Sequence, residues 1–74
     1  MTKTLTGIQR MFLLDAARGL TAAESARLHH TNEDTARNAL KAARRKLGAL
    51  STTHAVALGL SLGIISYTDV LKGQ

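Results

Sequence analysis

The sequence has no cysteine, no proline and no tryptophan, and it holds a single phenylalanine and a single tyrosine. The lack of cysteine excludes disulfide bonds and thiolate metal sites, as is typical of proteins in a reducing cytoplasm. The lack of proline means that no helix has to break within its length. Because aromatic side chains are so few, any core has to be built from leucine, isoleucine, valine and alanine.

Signals for membrane insertion and export are also missing. The longest apolar stretch, residues 55–65, contains Ser61 and is far below the roughly 20 residues of a membrane span. The first residues do not lead into the apolar segment of a signal peptide. We therefore expect a cytoplasmic protein with no membrane partner.

What is present is a short, basic, alanine-rich chain. Its 74 residues suffice for one small domain, and 45% hydrophobic residues are ample for a core. Abundant alanine and leucine favour helix. The formal net charge of +5 predicts an anionic partner or simply good solubility. We expect residues 1–74 to form a single all-α domain with its core over about residues 5–65. The C-terminal tail, residues 66–74, is either frayed or folded back through Tyr67, Val70 and Leu71.

Four helices are predicted, because start and stop signals alternate along the chain. A threonine followed three residues later by Gln, Glu or Asp predicts a capping box, at Thr6–Gln9, Thr21–Glu24 and Thr31–Asp34. Ser51 or Thr52 caps a fourth helix over residues 52–62. Glycine favours the left-handed conformation that ends a helix, and it follows three of the four, at Gly19, Gly48 and Gly63. The inward positions predicted for the first two helices are Ile8, Phe12, Leu13, Ala16, Leu20, Ser25, Ala26 and Leu28.

The third helix has two unlike faces. Residues 35–46 carry five cationic side chains and no acidic one. One face can enter a small core while the other presents cations and an amide to an anion, and the major groove of B-DNA admits such a helix. The simpler alternative is a solvated basic face aligned with the helix dipole. At about 100° per residue, the polar face consists of Arg37, Asn38, Lys41, Arg44 and Arg45, and the apolar face of Ala36, Leu40, Ala43 and Leu47.

The fourth helix is apolar on nearly every side. A helix of this kind is normally buried all round, yet a chain this short cannot cover it alone. We expect its outer side, led by Leu58 and Leu62 with Ser61 between them, to dock against a second copy of the chain. The predicted assembly is a homodimer.

The order of these signals resembles the LuxR-type, or GerE-like, helix-turn-helix domain. The match covers about residues 5–65, and its most specific motifs are Gly19-Leu20-Thr21, Lys46-Leu47-Gly48 and Ala55-Val56-Ala57. The resemblance implies a compact four-helix domain, which we expect to stand alone without a receiver or ligand-sensing domain. The chain departs from the family pattern where Gly7-Ile8-Gln9 replaces Pro-Arg-Glu, Ala36 replaces a valine, Ala39 a histidine and Thr52 an arginine.

The resemblance also implies roles for single residues. The second and third helices would form the helix-turn-helix. The third helix, about residues 32–46, would lie in the major groove. Its base-reading positions would be Arg37, Asn38 and Lys41. Arginine and lysine donate to guanine O6 and N7, and asparagine pairs with adenine N6 and N7. Asp34 either repels a phosphate or accepts from a cytosine amino group. The residues better placed for phosphates, which position a protein without specifying sequence, are Thr21, Thr35, Arg44, Arg45 and Lys46.

Neither catalysis nor metal binding is indicated. The histidines His29, His30 and His54 come with no organised set of carboxylates, and zinc ligands need convergent geometry. Asp15 and Glu24 are single carboxylates without a predicted partner for acid–base chemistry. We expect surface or turn histidines, no metal, no cofactor and no enzymatic activity.

The sequence is best interpreted as a dimeric, sequence-specific transcription regulator that binds double-stranded DNA in the nucleoid. The alternative is a small protein-interaction module that binds RNA polymerase, a sigma factor or another regulator through the helix-turn-helix or the apolar fourth helix. The departures at Ala39 and Thr52 favour this alternative. A third interpretation is a fragment similar to sigma region 4, although such a fragment normally lacks the fourth helix.

Overall fold

The computed structural model describes residues 5–72. Helix accounts for 72% of these residues and none of them lies in a β-strand, which confirms the all-α prediction. The helices are α1 (Gly7–Ala17), α2 (Ala22–Leu28), α3 (Glu33–Leu47), α4 (Thr52–Ser61) and α5 (Tyr67–Lys72). α1 packs against the other four, and α3 packs against α1, α2 and α4. Each of these helices is too short or too polar to cross a lipid bilayer.

The first two predicted capping boxes are confirmed. In α1 the Gln9 N–H donates to Thr6 Oγ1 at 3.1 Å and the Thr6 N–H donates to Gln9 Oε1 at 3.0 Å. In α2 the Glu24 N–H donates to Thr21 Oγ1 at 3.1 Å and the Thr21 N–H donates to Glu24 Oε1 at 2.8 Å. Ser51 caps α4 as predicted. These bonds satisfy backbone donors that the first turn of a helix leaves without partners.

The predicted capping box at Thr31–Asp34 is wrong, because the cap lies one residue later. Asn32 Oδ1 accepts from the backbone N–H of Thr35 at 2.8 Å and from its hydroxyl at 2.9 Å. Thr31 instead belongs to the end of α2, since its N–H donates to the Ala26 carbonyl at 2.9 Å. α3 therefore begins directly after Asn32, which is a favoured N-cap residue.

The first four helices all end with a residue in the left-handed region, which redirects the chain and lets the following N–H groups reach the last carbonyls. Gly19, Gly48 and Gly63, at φ of 90°, 69° and 75°, end α1, α3 and α4 as predicted. α2 ends instead at His30, with φ of 56°. Among residues 5–72, His30 is the only residue with a Cβ that adopts positive φ. Because a Cβ is strained there, α2 has the least favourable C-terminus of the four.

The core is small and mainly aliphatic, as the low aromatic content predicts. Two positions expected to face inward are wrong, because Ile8 is 59% and Leu28 57% exposed. Leu28 lies about 200° around α2 from the buried Ala26, and Ile8 lies in the first turn of α1, where no helix covers it. Ala16 and Leu20 are half-buried. The buried apolar residues are Leu5, Phe12, Leu13, Ala26, Ala36, Leu40, Ala43, Ala55 and Ile65.

The C-terminal residues form α5, so the prediction of four helices and a tail is wrong by one helix. Ser66 and Asp69 form a further capping box. The Asp69 N–H donates to Ser66 Oγ at 3.0 Å and the Ser66 N–H donates to Asp69 Oδ2 at 3.4 Å. This box starts a helix that the sequence interpretation left as a frayed or folded tail.

Polar contacts dominate the docking of α5 on α1. Arg10 Nη2 bonds Asp69 Oδ2 at 2.8 Å, and Arg18 Nη2 donates to the Asp69 carbonyl at 2.6 Å. Of the three side chains expected to fold back, Val70 is half-buried, whereas Tyr67 and Leu71 are 73% and 68% exposed. Of the two predicted alternatives, the tail is folded back, and Arg10 and Arg18 contact it in addition to the half-buried Val70.

Candidate nucleic-acid interface

α2 and α3 form a pair of packed helices joined by residues 29–32. Ala26 of α2 and Ala36 of α3 are both buried, and their small side chains let the two helices approach closely. His30 makes the left-handed turn between them. A three- or four-residue turn of this kind, often with glycine in it, is typical of helix-turn-helix units.

α3 has the predicted division into a buried and an exposed face. Ala36, Leu40 and Ala43 are buried, and Leu47 is half-buried. Because α3 packs against α1, α2 and α4, its apolar face is fixed in the core and its outer face is left to solvent. Of the five residues predicted for the polar face, Arg44 is half-buried, and the exposed ones are Arg37, Asn38, Lys41 and Arg45.

An open groove of about 510 Å³ runs beside α3. It brings together the three predicted base-reading residues, Arg37, Asn38 and Lys41, with two predicted phosphate contacts, Thr21 and Arg44. Apolar residues from α1, α2 and α3 line its other side. The remaining predicted phosphate contacts lie outside the groove: Thr35 and Arg45 are exposed and Lys46 is half-buried.

Arg44 joins α3 to α4. Its Nη1 donates to Thr52 Oγ1 at 3.0 Å, and both residues line the groove. Thr52 lies at the position where the LuxR-type pattern has an arginine. Here its hydroxyl oxygen accepts a hydrogen bond from the Arg44 guanidinium. The bond restrains Arg44 at the edge of the groove, and within residues 5–72 its other N–H donors have no protein partner.

Positive charge is concentrated in the second half of α3. Within residues 5–72, no carboxylate forms a salt bridge with Lys41, Arg44, Arg45 or Lys46. The five Asp and Glu carboxylates of the chain are engaged elsewhere. The partners of the carboxylates are Arg18, His29 and Ser25 for Asp15, Thr21 for Glu24, Arg37 for Glu33 and Asp34, and Arg10 and Ser66 for Asp69.

Arg37, in the first half of α3, has a different environment. Its Nη1 donates to Glu33 Oε2 and its Nη2 donates to Asp34 Oδ1, both at 2.6 Å. The hydrogen bond to Asp34 and the charge of Glu33 raise the pKa of the Arg37 guanidinium above its usual value. The guanidinium is exposed to solvent, and two of its five N–H donors are already bonded to anions.

Asp15 contradicts the expectation that it has no nearby partner. It is 2% exposed, and its Oδ2 accepts from Ser25 Oγ at 2.6 Å and lies 2.7 Å from His29 Nε2. Arg18 Nη1 lies 3.6 Å from Oδ1. Serine and histidine both contact the same carboxylate oxygen, so the group ties α2 to α1 rather than forming a nucleophile–base pair. The sequence signal for this buried carboxylate was its position next to the apolar residues of α1, which include Phe12.

The histidines have separate structural surroundings. His29 contacts Asp15 and stacks edge-on against Phe12, with ring centroids 5.7 Å apart, so it is more than the surface or turn histidine expected. His30 is exposed in the turn, and His54 Nδ1 accepts from the Leu50 N–H at 3.0 Å. Among residues 5–72, no group of three metal-ligating side chains converges.

The outer side of α4 is partly open. Ser61 is exposed and Leu62 is 54% exposed, whereas Leu58 is half-buried. The three residues predicted to form a dimer interface therefore offer one large exposed apolar side chain and part of a second. None of these three side chains is charged.

Comparison with protein-family models, with curated proteins and with solved structures gave no significant match for the chain. Its function is therefore inferred from the exposed face of α3, the groove beside it and the placement of charge.

Proposed function

We propose that this protein is a sequence-specific DNA-binding transcription regulator with a LuxR-type helix-turn-helix, in which α3 enters the major groove. The observation that carries the proposal is the outer face of α3, where Arg37, Asn38 and Lys41 lie side by side and exposed. The opposite face of the same helix is fixed in the core by Leu40 and Ala43. A rigid helix that presents donors of fixed position to solvent suits the edges of bases in the major groove.

The division of charge along α3 supports different tasks for its two halves. Guanidinium and amide groups at Arg37 and Asn38 are suited to bases, because they offer paired donors or a donor and an acceptor. Arg45 and Lys46, beyond the groove, are suited to phosphates, which need only positive charge. Thr21 and Arg44 line the groove and would contact the backbone from its edge.

Dimer formation through α4 belongs to the proposal. The apolar outer side, with Leu62 exposed, supports contact with a second copy. Two copies would place one α3 in each half-site of a palindromic operator, about one helical turn apart. Sedimentation of the DNA-free protein tests this point: we expect a concentration-dependent dimer, which Leu62→Lys abolishes. A species that stays monomeric at high concentration would contradict it.

The DNA-binding proposal is tested by fluorescence anisotropy with a labelled duplex of mixed sequence. We expect Arg37→Ala with Lys41→Ala to weaken binding at least about tenfold at physiological salt. The matched control is Arg27→Ala with Lys72→Ala, which removes the same charge from exposed positions on α2 and α5. Equal losses in both double variants would mean that binding depends on net charge alone, and α3 would lose its assigned role.

A second candidate function is a protein-interaction module for RNA polymerase or another regulator. The exposure of Leu62, Tyr67 and Leu71, near the C-terminal end of the chain, favours it. Capture of partners from the source cell after nuclease treatment separates the two functions. Partners retained after nuclease treatment and lost in Leu62→Lys support the module, whereas retention that depends on nucleic acid supports the regulator.

A further inference from the structure

Arg37 is held by two carboxylates from the first turn of its own helix. Both hydrogen bonds, from Nη1 to Glu33 and from Nη2 to Asp34, are 2.6 Å long. We call this arrangement of Glu33, Asp34 and Arg37 the arginine clamp. It places two negative charges around one positive charge, so this end of the exposed face carries a net negative charge.

The clamp is unusual within the proposed interface. Lys41, the other cation among the predicted base-reading residues, forms no salt bridge in the part of the chain that the structure describes. Two separate carboxylates, three and four residues before Arg37, converge on one guanidinium. Such spacings bring side chains together on a helix surface, and here they occupy both terminal nitrogens of the guanidinium, the pair suited to bidentate contact.

We infer that Glu33 and Asp34 are specificity-determining residues of this surface, an inference that rests on the proposed function. Against a base edge from which water is excluded, Arg37 can leave the clamp without losing hydrogen bonds where the base offers two acceptors. Guanine does so in the major groove through O6 and N7. A sequence without guanine at that position leaves the clamp closed and its two carboxylates facing the DNA.

The carboxylates therefore act against binding that depends on charge alone. Near phosphates the remaining negative charge of the clamp repels the DNA, because Arg37 offsets only one of the two carboxylates. At a guanine the Arg37 guanidinium moves from the carboxylates to the base. Asp34 is then free to accept a hydrogen bond from a nearby cytosine amino group. The clamp lowers the affinity for most sequences, and it increases the ratio of the affinity for preferred sites to the affinity for average sites.

The inference is tested by anisotropy on a labelled duplex of mixed sequence, with Asp34→Asn as the main variant and Glu33→Gln as a second. We expect Asp34→Asn to bind about three- to tenfold more tightly than the unmodified chain at physiological salt. The matched control is Asp69→Asn, which removes the same negative charge on α5 and keeps an amide oxygen for Arg10 and the Ser66 N–H. We expect less than about a twofold change for this control.

Repeating Asp34→Asn in an Arg37→Ala background isolates the clamp from simple repulsion. We expect a smaller gain there, since no guanidinium is left to release. An equal gain in both backgrounds, or a gain equal to that of Asp69→Asn, would overturn the clamp while leaving DNA binding intact. If neither the unmodified chain nor any variant binds the duplex, the proposed function is wrong and the clamp falls with it.

Selection from a random-sequence duplex pool gives the specificity itself. We expect the unmodified chain to enrich guanine at one position of each half-site, and the Glu33→Gln, Asp34→Asn double variant to enrich it less while binding the pool more tightly. Tighter pool binding with unchanged enrichment would show that the carboxylates affect affinity alone, which contradicts the inference.

Discussion

The two halves of α3 differ in charge and in what supports them. In the first half, Arg37 is neutralised by Glu33 and Asp34, whereas in the second half Arg44 and Lys46 meet no carboxylate within residues 5–72. α2, tied to α1 through the buried Asp15, packs beside α3. The bond from Arg44 to α4 restrains the second half. The comparison indicates that one helix can combine selective contacts at one end with general affinity for an anion at the other.

The largest expected effect comes from Asp15→Ala, which removes the carboxylate that ties α2 to α1. The change leaves Ser25, His29 and Arg18 without their shared partner, so we expect the free energy of unfolding to fall by about 2–4 kcal/mol. Urea denaturation measures this, and native-state hydrogen exchange locates it. We expect α2 to lose protection first. Asp69→Ala, a carboxylate removed from the half-buried contact with Arg10, is the control and should cost less. Equal losses in the two variants would mean that the Asp15 group has no special role.

The next largest effect distinguishes the cations in the two halves of α3. Arg45→Ala with Lys46→Ala removes cations from the second half, so we expect affinity for every duplex to fall about 10- to 100-fold. The salt dependence of log K should weaken by a slope of up to about two, one for each phosphate that is no longer neutralised. Arg37→Ala should instead change which sequences are preferred. A changed sequence preference in the Arg45→Ala, Lys46→Ala variant would contradict this division.

A smaller effect is expected at the turn before the first half of α3. His30 adopts φ of 56°, which glycine adopts without strain. We expect His30→Gly to raise the free energy of unfolding by up to about 1 kcal/mol, because relief of strain exceeds the added freedom of the unfolded chain. Thermal denaturation followed by circular dichroism checks the sign. A lower melting temperature would show that the exposed histidine makes a stabilising contact that outweighs its strain.

The smallest effect is a local response to acid far from α3. Hydrogen bonds from Ser66, together with the charge of Arg10, lower the pKa of the Asp69 carboxyl below its usual value of 3.8. A lowered pKa in the folded state stabilises the fold above pH 3.8, and that contribution disappears as pH falls through the folded pKa. We expect α5 to loosen below about pH 4 while α3 stays intact, as followed by amide chemical shifts. Unfolding of α3 before α5 would contradict it.

The features that the sequence predicted correctly are mostly local. The caps at Thr6 and Thr21, and the glycine ends, depend on contacts three or four residues apart. The apolar face of α3 follows from helical periodicity, so Ala36 and Leu40 were found. Because these signals require no knowledge of the rest of the fold, they could be predicted from short stretches of sequence.

What the sequence interpretation missed depends largely on distant contacts. Arg10 meets Asp69 across 59 residues, and Asp15 meets His29 across 14. No spacing rule pairs such residues, so neither the docking of α5 on α1 nor the buried carboxylate group was predicted, although the Ser66–Asp69 capping box was a local signal for α5 itself. The arginine clamp is different, since Glu33 lies four residues before Arg37. Its signal was local, but the sequence interpretation considered Asp34 only as a capping residue and as a contact to DNA, and it paired neither carboxylate with Arg37.

Titration of the isotope-labelled protein with a mixed-sequence duplex, followed by NMR, tests directly whether the outer face of α3 binds DNA. We expect the largest amide and side-chain shifts on residues 37–46 of α3 and on Thr21, and we expect them to weaken as salt rises. Shifts confined to α4 and α5, or none at any salt concentration, would contradict it.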